Sequence, residues 1–341
     1  MPMPSLILNG PEFDSILPDA ETEEKTGKLK GTILVDGHVD LTYYLMNLSE
    51  DLPLSALEDG PFTLNKIREV GLRLFSSALY CQDKFNGEGA LRNLKEILNF
   101  TLDHFDEVRI VKGRADLASI QEDPEMVGTL FLLENADALV GNLSFIEELI
   151  EAGVRIVGLT HRGRNRIGDG DGVLVPGGFS PQGMEVIRVL DDLGLILDVA
   201  HLHPKCFWKL LDVFSGPIVS SHTGIRTVCN IQRNIDMQQA EEILGRGGLV
   251  GITFNPEMLT LGGGTNLEHV FIHIDVLVQQ FGPDGVSLGS DFCGFDKVTQ
   301  GLEDITKVPE LAGMMLEHGY GGEAVEKITG LNWLRLYESI F

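Results

Sequence analysis

The sequence predicts an α/β fold, a (β/α)8 or TIM barrel. Eight short apolar runs recur along the chain, and segments with helical periodicity separate them. The runs are almost continuously apolar, which is typical of strands that are buried on both faces in a parallel sheet covered by helices. Strand and helix repeated in alternation eight times indicate that the sheet closes into a barrel.

Each predicted strand is a run of strand length rich in Val, Ile, Leu or Phe. In chain order the runs are TILVDGH (32–38), LRLFSSALY (72–80), GTLFLLE (128–134), VRIVGLTH (154–161), GLILDVAH (194–201), GPIVSSH (216–222), GLVGITFN (248–255) and VSLGSD (286–291). A doubly wound open sheet is the alternative. The first run is not followed by GxGxxG, which disfavours that alternative.

Three of the intervening stretches show clear helix signals. SFIEELIEAG (144–153) places apolar residues on one face and ends at Gly153, a common helix stop. PQGMEVIRVLDDLG (181–194) has proline at its start and glycine at its end. MQQAEEILGRGG (237–248) likewise ends in glycine, before the seventh strand.

We expect two parts, an N-terminal extension of residues 1–30 and a barrel domain of residues 31–341. The extension contains SLILNG and then DAETEEKTGKLK, which we interpret as an extra strand or arm followed by a solvated loop. The chain of 341 residues is long enough for one barrel, since such barrels take about 250 residues and more with insertions. Low-complexity tracts and polar linkers are absent from the sequence.

The formal net charge of −25 argues against nucleic acid or an anionic membrane as a partner, because both need a basic surface. The first residues, MPMPSLILNG, lack the basic start and long apolar core of a signal peptide, and no apolar run is long enough to span a membrane. The cysteines form no CxxC pair, so we expect reduced thiols and a cytoplasmic protein; they are Cys81, Cys206, Cys229 and Cys293.

Ionisable residues are concentrated at the ends of the predicted strands, where barrels of this class carry their chemistry. These residues are His38, Asp40, Glu134, His161, His201, His222 and Asp291. Within VDGHVD, the spacing of two puts His38 and Asp40 on the same side of an extended strand.

A site for divalent metal ions would explain why these ionisable residues occur together. Several buried carboxylates and imidazoles are costly to bring together unless a cation neutralises them. Imidazole and carboxylate ligands without thiolate suit zinc or a related first-row ion. One catalytic zinc takes three protein ligands, so this number of residues favours two ions, with Glu134 able to bridge them. No lysine ends a strand, which disfavours a carbamylated-lysine bridge.

The chain resembles the renal, or membrane, dipeptidase family of zinc peptidases (family M19), whose fold is the barrel of metal-dependent hydrolases. The resemblance rests on an ordered set of motifs from about residue 33 onward. They are DGHVD, LLEN, GLTHRGRN, LILDVAH, VSSHTGIR with QRN shortly after it, GGLVGITFN, LGSDF and ITGLNWLR.

The resemblance implies a role for each of these residues. His38 and Asp40 would bind one zinc, and His201 and His222 the second, with Glu134 bridging both. His161 would bind the substrate and stabilise the tetrahedral intermediate, and Arg233 of the QRN motif would pair with a substrate carboxylate. Asp291 would lie against a metal-bridging hydroxide and carry its proton to the leaving amine.

The expected function is a zinc-dependent dipeptidase that cleaves small dipeptides, with those that carry a C-terminal D-residue among the expected substrates, and the family suggests a homodimer. Two alternatives remain open at this point. The same dinuclear barrel could hydrolyse another amide, a lactone or an N-acyl amino acid, or it could bind ligands without turnover. This chain departs from the family pattern at two positions. Family members commonly carry an aspartate at the position that Cys293 occupies here, and their first motif is HND-like, whereas this chain has Val39 between His38 and Asp40.

Several other polar residues are interpreted as structural. His203 is expected in a loop, and His269 and His273 on an amphipathic helix outside the barrel. Asp36 is expected to orient His38 or to cap the strand end, and Cys293 to be a small buried residue.

Overall fold

The computed structural model describes residues 33–341 and shows a nearly closed barrel of parallel strands surrounded by helices. Eight strands follow one another around the barrel in chain order, and a two-residue strand, β3, pairs beside β4. The strands are β1 (Leu34–Val39), β2 (Leu72–Tyr80), β3 (Arg109–Ile110), β4 (Gly128–Glu134), β5 (Val154–Gly158), β6 (Ile196–Asp198), β7 (Ile218–Thr223), β8 (Val250–Ile252) and β9 (Val286–Leu288). The predicted barrel is confirmed, and the doubly wound alternative is wrong.

Backbone hydrogen bonds just beyond the strand ends draw β1 and β9 together. Val39 forms a parallel bridge with Phe292, and the Asp40 N–H donates to the Phe292 carbonyl at 2.9 Å. The Asp291 N–H donates to the His38 carbonyl at 3.0 Å. The first and last strands therefore bring Asp40 and Asp291 to the same edge.

Helices lie between and after the strands, and the three that the sequence predicts within residues 144–153, 181–194 and 237–248 are among them. They are α1 (Leu41–Met46), α2 (Leu64–Val70), α3 (Ala90–His104), α4 (Arg114–Glu122), α5 (Phe145–Ala152), α6 (Pro181–Asp192), α7 (Pro204–Leu211), α8 (Met237–Gly245), α9 (Pro256–Leu259), α10 (Leu267–Phe281), α11 (Val308–Glu317), α12 (Gly322–Glu326) and α13 (Asn332–Ser339). Gly153 ends α5 with φ 114°, a conformation that favours glycine. Ser180 caps α6, and Asp236 forms a capping box with Gln239 at the start of α8.

Four strands end earlier than the sequence predicts, one of them being β8, which ends at Ile252 although the predicted run extends to Asn255. β5, β6 and β9 each end three residues before the side chain that the sequence assigns to their last position, namely His161, His201 and Asp291. His201 and Asp291 have φ values of 63° and 64°, which no extended strand accommodates. After β5, the carbonyl of Leu159 accepts a hydrogen bond from the Asn165 side-chain amide at 2.8 Å, in place of a backbone N–H of a neighbouring strand. The three residues lie in loops directly after the strands.

Helix α13 fills part of the barrel interior with two aromatic side chains, Trp333 and Tyr337, both fully buried. The Trp333 indole donates to the Leu288 carbonyl at 2.7 Å, and the Tyr337 hydroxyl lies 2.6 Å from that of Ser76. A Cβ at Gly37 would lie 2.1 Å from the Trp333 ring. The glycine between Asp36 and His38 is therefore required by the packing of α13 beneath the strand end.

The two histidines of α10 are structural, as predicted. His269 belongs to the capping box at the start of the helix, with its Nδ1 2.6 Å from the Asn266 side-chain oxygen. His273 is fully buried, accepts the Ile225 N–H at its Nδ1 (2.8 Å), and has its Nε2 3.1 Å from the Leu259 carbonyl. Both bonds of His273 are satisfied by a neutral imidazole. His203, predicted in a loop, caps α7 by accepting the Lys205 N–H.

Burial of His273 predicts a loss of stability in acid. Desolvation lowers its pKa from 6.5 to about 4. Between these pH values the unfolded chain binds a proton that the folded chain does not, so the free energy of unfolding falls on acidification, by up to ~3 kcal/mol from this group. In urea denaturation with chelator present, the stability advantage of the wild type over His273→Asn should shrink between pH 7 and pH 4.5. An advantage that stays constant over this range would contradict the prediction.

Among the described residues, no helix combines the length and apolarity needed to cross a membrane. The four cysteines are unpaired, and Cys81, Cys206 and Cys229 are buried while Cys293 is partly exposed. The predicted extension of residues 1–30 lies outside the described residues, so the division into extension and barrel domain stays a prediction.

Candidate active site

A cavity of about 430 Å³ opens at the carboxyl ends of the strands. Its walls include seven of the eight residues that the sequence selects, namely Asp40, Glu134, His161, His201, His222, Arg233 and Asp291. The eighth, His38, lies beneath the cavity, fully buried, with its ring centroid 3.8 Å from that of His222. The fold therefore brings all of the predicted site residues together.

Glu134 lies between two groups of potential metal ligands. Its Oε2 is 3.9 Å from His38 Nε2, which is 3.8 Å from Asp40 Oδ2. Its Oε1 is 3.1 Å from His201 Nε2, which is 3.2 Å from His222 Nε2. In each group of three, the ligand atoms lie within 4.8 Å of one another. The two groups share only Glu134, which is the arrangement that a bridging carboxylate requires.

Burial and mutual repulsion shift the pKa values of the acidic members. Burial, together with the charge of Asp40, raises the pKa of Glu134 to about 7. The same two causes raise the pKa of Asp291 well above its usual range. Burial would lower the pKa of His38, but the carboxylates of Asp40, Glu134 and Asp291 raise it to about 10. The cluster thus carries a concentration of negative charge that favours a bound cation.

The residues fit divalent metal ions. His38 Nε2 and Asp40 Oδ1 are buried without a hydrogen-bond partner within the described part of the chain, which is unusual for buried polar atoms. Burial lowers the pKa of His201 and of His222 well below the usual value, so both rings are neutral, the form that binds metal. Imidazole and carboxylate donors in two groups of three suit zinc or a related first-row ion.

Asp291 is held beside the metal-ligand cluster by Asn255. The Asn255 amide donates to Asp291 Oδ2 at 2.9 Å, and its own oxygen accepts the Glu257 N–H at 3.1 Å, which fixes the orientation of the amide. A Cβ at Gly294 would lie 2.2 Å from Asp40 Oδ2 and 2.6 Å from Asp291 Oδ1. Glycine at 294 therefore leaves the room in which the two carboxylates approach each other.

His161 is oriented from one side by polar groups of β2 and the loop after it. Its Nδ1 lies 3.3 Å from Asp83 Oδ2 and 3.4 Å from the Tyr80 hydroxyl. Burial opposes ionisation of Asp83, but hydrogen bonds from His161 and the Gly163 N–H outweigh it and lower the pKa of this carboxyl. An ionised Asp83 holds the Nδ1 proton of His161 and leaves Nε2 for the cavity.

Of the two terminal nitrogens of Arg233, one is hydrogen-bonded within the described structure and the other is not. Its Nη2 donates to the His222 carbonyl at 3.0 Å, whereas its buried Nη1 has no partner among the described residues. A partly buried guanidinium with an open donor in a cavity can bind an anionic group of a ligand.

Sequence reasoning missed the polar residues that support the predicted ones. Asp83 and Tyr80 contact His161, Asn255 contacts Asp291, and Asp171 Oδ1 lies 3.2 Å from the Nδ1 of His201. Tyr80 and Asn255 are the last residues of two predicted strands, so their positions were a usable signal. Asp171 lies in the glycine-rich stretch RNRIGDGDG, where no pattern indicates which aspartate faces the site. Asp36 accepts the backbone N–H groups of His38 and Ser290 and so anchors the strand end.

Comparison with known families settles the affiliation of this barrel. The family model described as membrane dipeptidase (peptidase family M19) matches residues 24–340. The chain belongs to this family. The resemblance seen in the sequence motifs is thereby confirmed, and the protein is a hydrolase of the metallo-dipeptidase class.

Three proteins to which this chain is similar share 24–31% of their residues with it over the matched parts. A Klebsiella pneumoniae protein described as an uncharacterized protein in the pqqA 5′ region is 29% identical over 244 residues, which are 69% of this chain and 89% of the relative. Dipeptidase tcpJ of Claviceps purpurea is 31% identical over 205 residues, which cover 59% of this chain but only 48% of the relative. A metallopeptidase of Rhodobacter sphaeroides, solved with a phosphinate mimic of L-Ala-D-Ala, matches 91% of this chain and 100% of its own at a TM-score of 0.82 and 24% identity, which shows a shared fold.

Proposed function

We propose that this M19 family member is a dinuclear zinc dipeptidase that cleaves the peptide bond of small dipeptides. The observation that carries the proposal is the position of Glu134 between two ligand groups, with the open guanidinium nitrogen of Arg233 in the same cavity. The proposed ligands are His38 and Asp40 for one ion, His201 and His222 for the other, and Glu134 for both.

The side chains around the ligands would divide the remaining tasks. Two zinc ions, when bound by these ligands, would lower the pKa of a water molecule and polarise the substrate carbonyl. Asp291, whose pKa is raised by burial and Asp40, accepts a proton and returns it to the leaving amine. His161, held at Nδ1 by Asp83, would donate from Nε2 to the oxygen that gains negative charge when the ring carries both protons. Arg233 binds the free carboxylate at the end of the dipeptide.

The substrates are proposed to include dipeptides whose C-terminal residue is D. Arg233 is the group that would recognise the carboxylate of either enantiomer. The Rhodobacter sphaeroides metallopeptidase was solved with a mimic of an L-D dipeptide, which makes such pairs the first to assay.

Metal analysis and a dipeptide-library screen test the proposal together. Protein prepared without chelator should contain close to two zinc ions per chain. Hydrolysis of at least one L-L or L-D dipeptide should disappear with chelator and return with added zinc. A metal content near zero with no activation by added metal would refute the metal centre. If the protein contains two zinc ions but cleaves no dipeptide, the dipeptidase activity would be refuted, and another amide, a lactone or an N-acyl amino acid would be the substrate to test.

We also propose a cytoplasmic location and a homodimeric assembly. The four unpaired cysteines support a reducing compartment. The dimer rests on the family resemblance, and light scattering of the purified protein measures it directly.

A further inference from the structure

One buried hydroxyl group lies beneath the proposed metal site and contacts a histidine from each of its halves. Ser221 Oγ is 3.0 Å from the Nδ1 of His38 and 2.9 Å from the Nδ1 of His222. The same oxygen is 2.6 Å from Oδ2 of Asp198, at the end of β6. All four side chains are at most 2% exposed. Each hydrogen of this cluster must therefore be matched to an acceptor within it.

The position of Asp198 fixes the direction of these hydrogen bonds. Its Oδ1 accepts the backbone N–H groups of Ala200 at 3.0 Å and Ser221 at 2.9 Å, and its Oδ2 accepts the Ser221 hydroxyl. The single hydroxyl hydrogen of Ser221 is then directed to Oδ2 of Asp198. Both lone pairs of Ser221 Oγ remain, and each faces a ring nitrogen. His38 and His222 must both carry their proton on Nδ1 and donate it to the serine.

We infer that Ser221, supported by Asp198, is a positioning residue that sets the tautomer of one histidine in each half of the two-metal site. The inference rests on the proposed function, because it assigns these rings to metal. With Nδ1 as the protonated nitrogen, the neutral form of each ring keeps its lone pair on Nε2, the atom that would bind the ion. His38 Nε2 is indeed buried without a partner in the described structure, and His222 Nε2 lies 3.2 Å from that of His201.

The same contacts explain a third group of potential ligands. Atoms of His38, Asp198 and His222 lie within 4.8 Å of one another, as in the two groups that share Glu134. The Ser221 hydroxyl lies within hydrogen-bond distance of all three residues and so accounts for their convergence. Asp198 therefore supports the ligands instead of binding an ion.

Replacing the serine tests the inference against a neighbouring control. In Ser221→Ala both rings lose their common acceptor, and zinc affinity is expected to fall about 10–100-fold, as when other outer hydrogen-bond partners of metal ligands are removed. Ser220 is the matched control, because its hydroxyl is equally buried on the same strand but has no partner among the described residues. Ser220→Ala should bind zinc like the wild type. The measurement is a titration of metal-free protein with Zn²⁺ against a competing chelator.

Asp198→Asn keeps the shape of the cluster and reverses one hydrogen bond. The two backbone N–H groups hold the asparagine oxygen at the Oδ1 position, so its NH₂ group faces Ser221 Oγ. The serine hydrogen must then go to one of the two ring nitrogens, and that ring becomes protonated on Nε2. The expected result is one zinc per chain with wild-type affinity and a second bound at least tenfold more weakly. With ¹⁵N-histidine labelling, Asp198→Asn protein that holds one zinc per chain should show one Nδ1–H signal from His38 and His222, whereas wild-type protein with two zinc ions should show two.

The outcomes separate this inference from the proposed function. A wild-type protein that binds no zinc would refute the metal centre itself. A wild type with two ions, together with Ser221→Ala and Asp198→Asn variants that bind both ions equally tightly, would overturn only the role of Ser221. If Ser221→Ala does not fold, the Asp198→Asn titration and its ¹⁵N spectrum decide.

Discussion

Replacing Asp291 by asparagine is expected to lower kcat about 10²–10⁴-fold while both zinc ions stay bound, since this is the usual contribution of a positioned acid–base group. Burial and Asp40 raise the pKa of Asp291, so this carboxyl can take up and release a proton during turnover. Asparagine has nearly the same shape and can still accept the hydrogen bond from Asn255, but it cannot carry the proton. Steady-state kinetics on the best dipeptide and metal analysis of the same preparation provide the measurement.

Asp36→Asn is the matched control for this prediction. Asp36 is also a buried aspartate near the site, and the backbone N–H groups of His38 and Ser290 both donate to the same oxygen, Oδ1. The carbonyl oxygen of asparagine can accept both bonds, so kcat should stay close to the wild-type value. Full activity in Asp291→Asn would remove Asp291 from catalysis. Equal losses in the two variants would assign the effect to packing.

Arg233→Ala is expected to lower kcat/KM about 10²–10³-fold on dipeptides with a free C-terminal carboxylate, because truncating one partner of a buried charge pair typically costs 2–5 kcal/mol. The buried Nη1 has no partner in the described structure, so the substrate carboxylate would be the first acceptor to reach it. An interaction made equally in the ground and transition states appears mainly in KM. Initial rates over a wide range of substrate concentrations separate the two parameters.

A dipeptide amide provides the control for Arg233. The wild type should cleave the amide less efficiently than the free acid by about the factor that Arg233→Ala loses, and the variant should not distinguish the two substrates. Arg162→Ala is the second control, since Arg162 lines the same cavity but is exposed to solvent, where charge pairs contribute little. Unchanged activity of Arg233→Ala on the best substrate would show that no free carboxylate is recognised.

The barrel could be predicted because its signals are local. A buried parallel strand requires a continuous apolar run, and a helix end requires a residue such as Gly153, so both leave their pattern within a few positions. The side chains after the strands were also predictable, because the strands of a parallel barrel all have their carboxyl ends at the same face. The exact ends of β5, β6 and β9 were not, because left-handed backbone at His201 and Asp291 depends on surrounding contacts.

The groups that orient the predicted residues could not be read from the chain. Asp83 contacts His161 across 78 positions, and Ser221 contacts His38 across 183. No local spacing encodes such pairs, because only the curvature of the barrel brings them within hydrogen-bond distance. Serine and aspartate are also common at turns and strand ends, so residue type alone does not distinguish a supporting group from a surface one.

The backbone at His201 and Asp291 has a consequence for protein engineering. Both residues hold left-handed φ values of 63° and 64°, a conformation that costs a non-glycine residue roughly 1–2 kcal/mol and glycine much less. A laboratory screen that rewards heat resistance alone would therefore accept glycine at either position, and each such gain would delete a group from the cavity. In a thermostabilisation library these two codons should be kept constant. Glycine, the residue that fits the backbone best at these positions, has no side chain to serve the site.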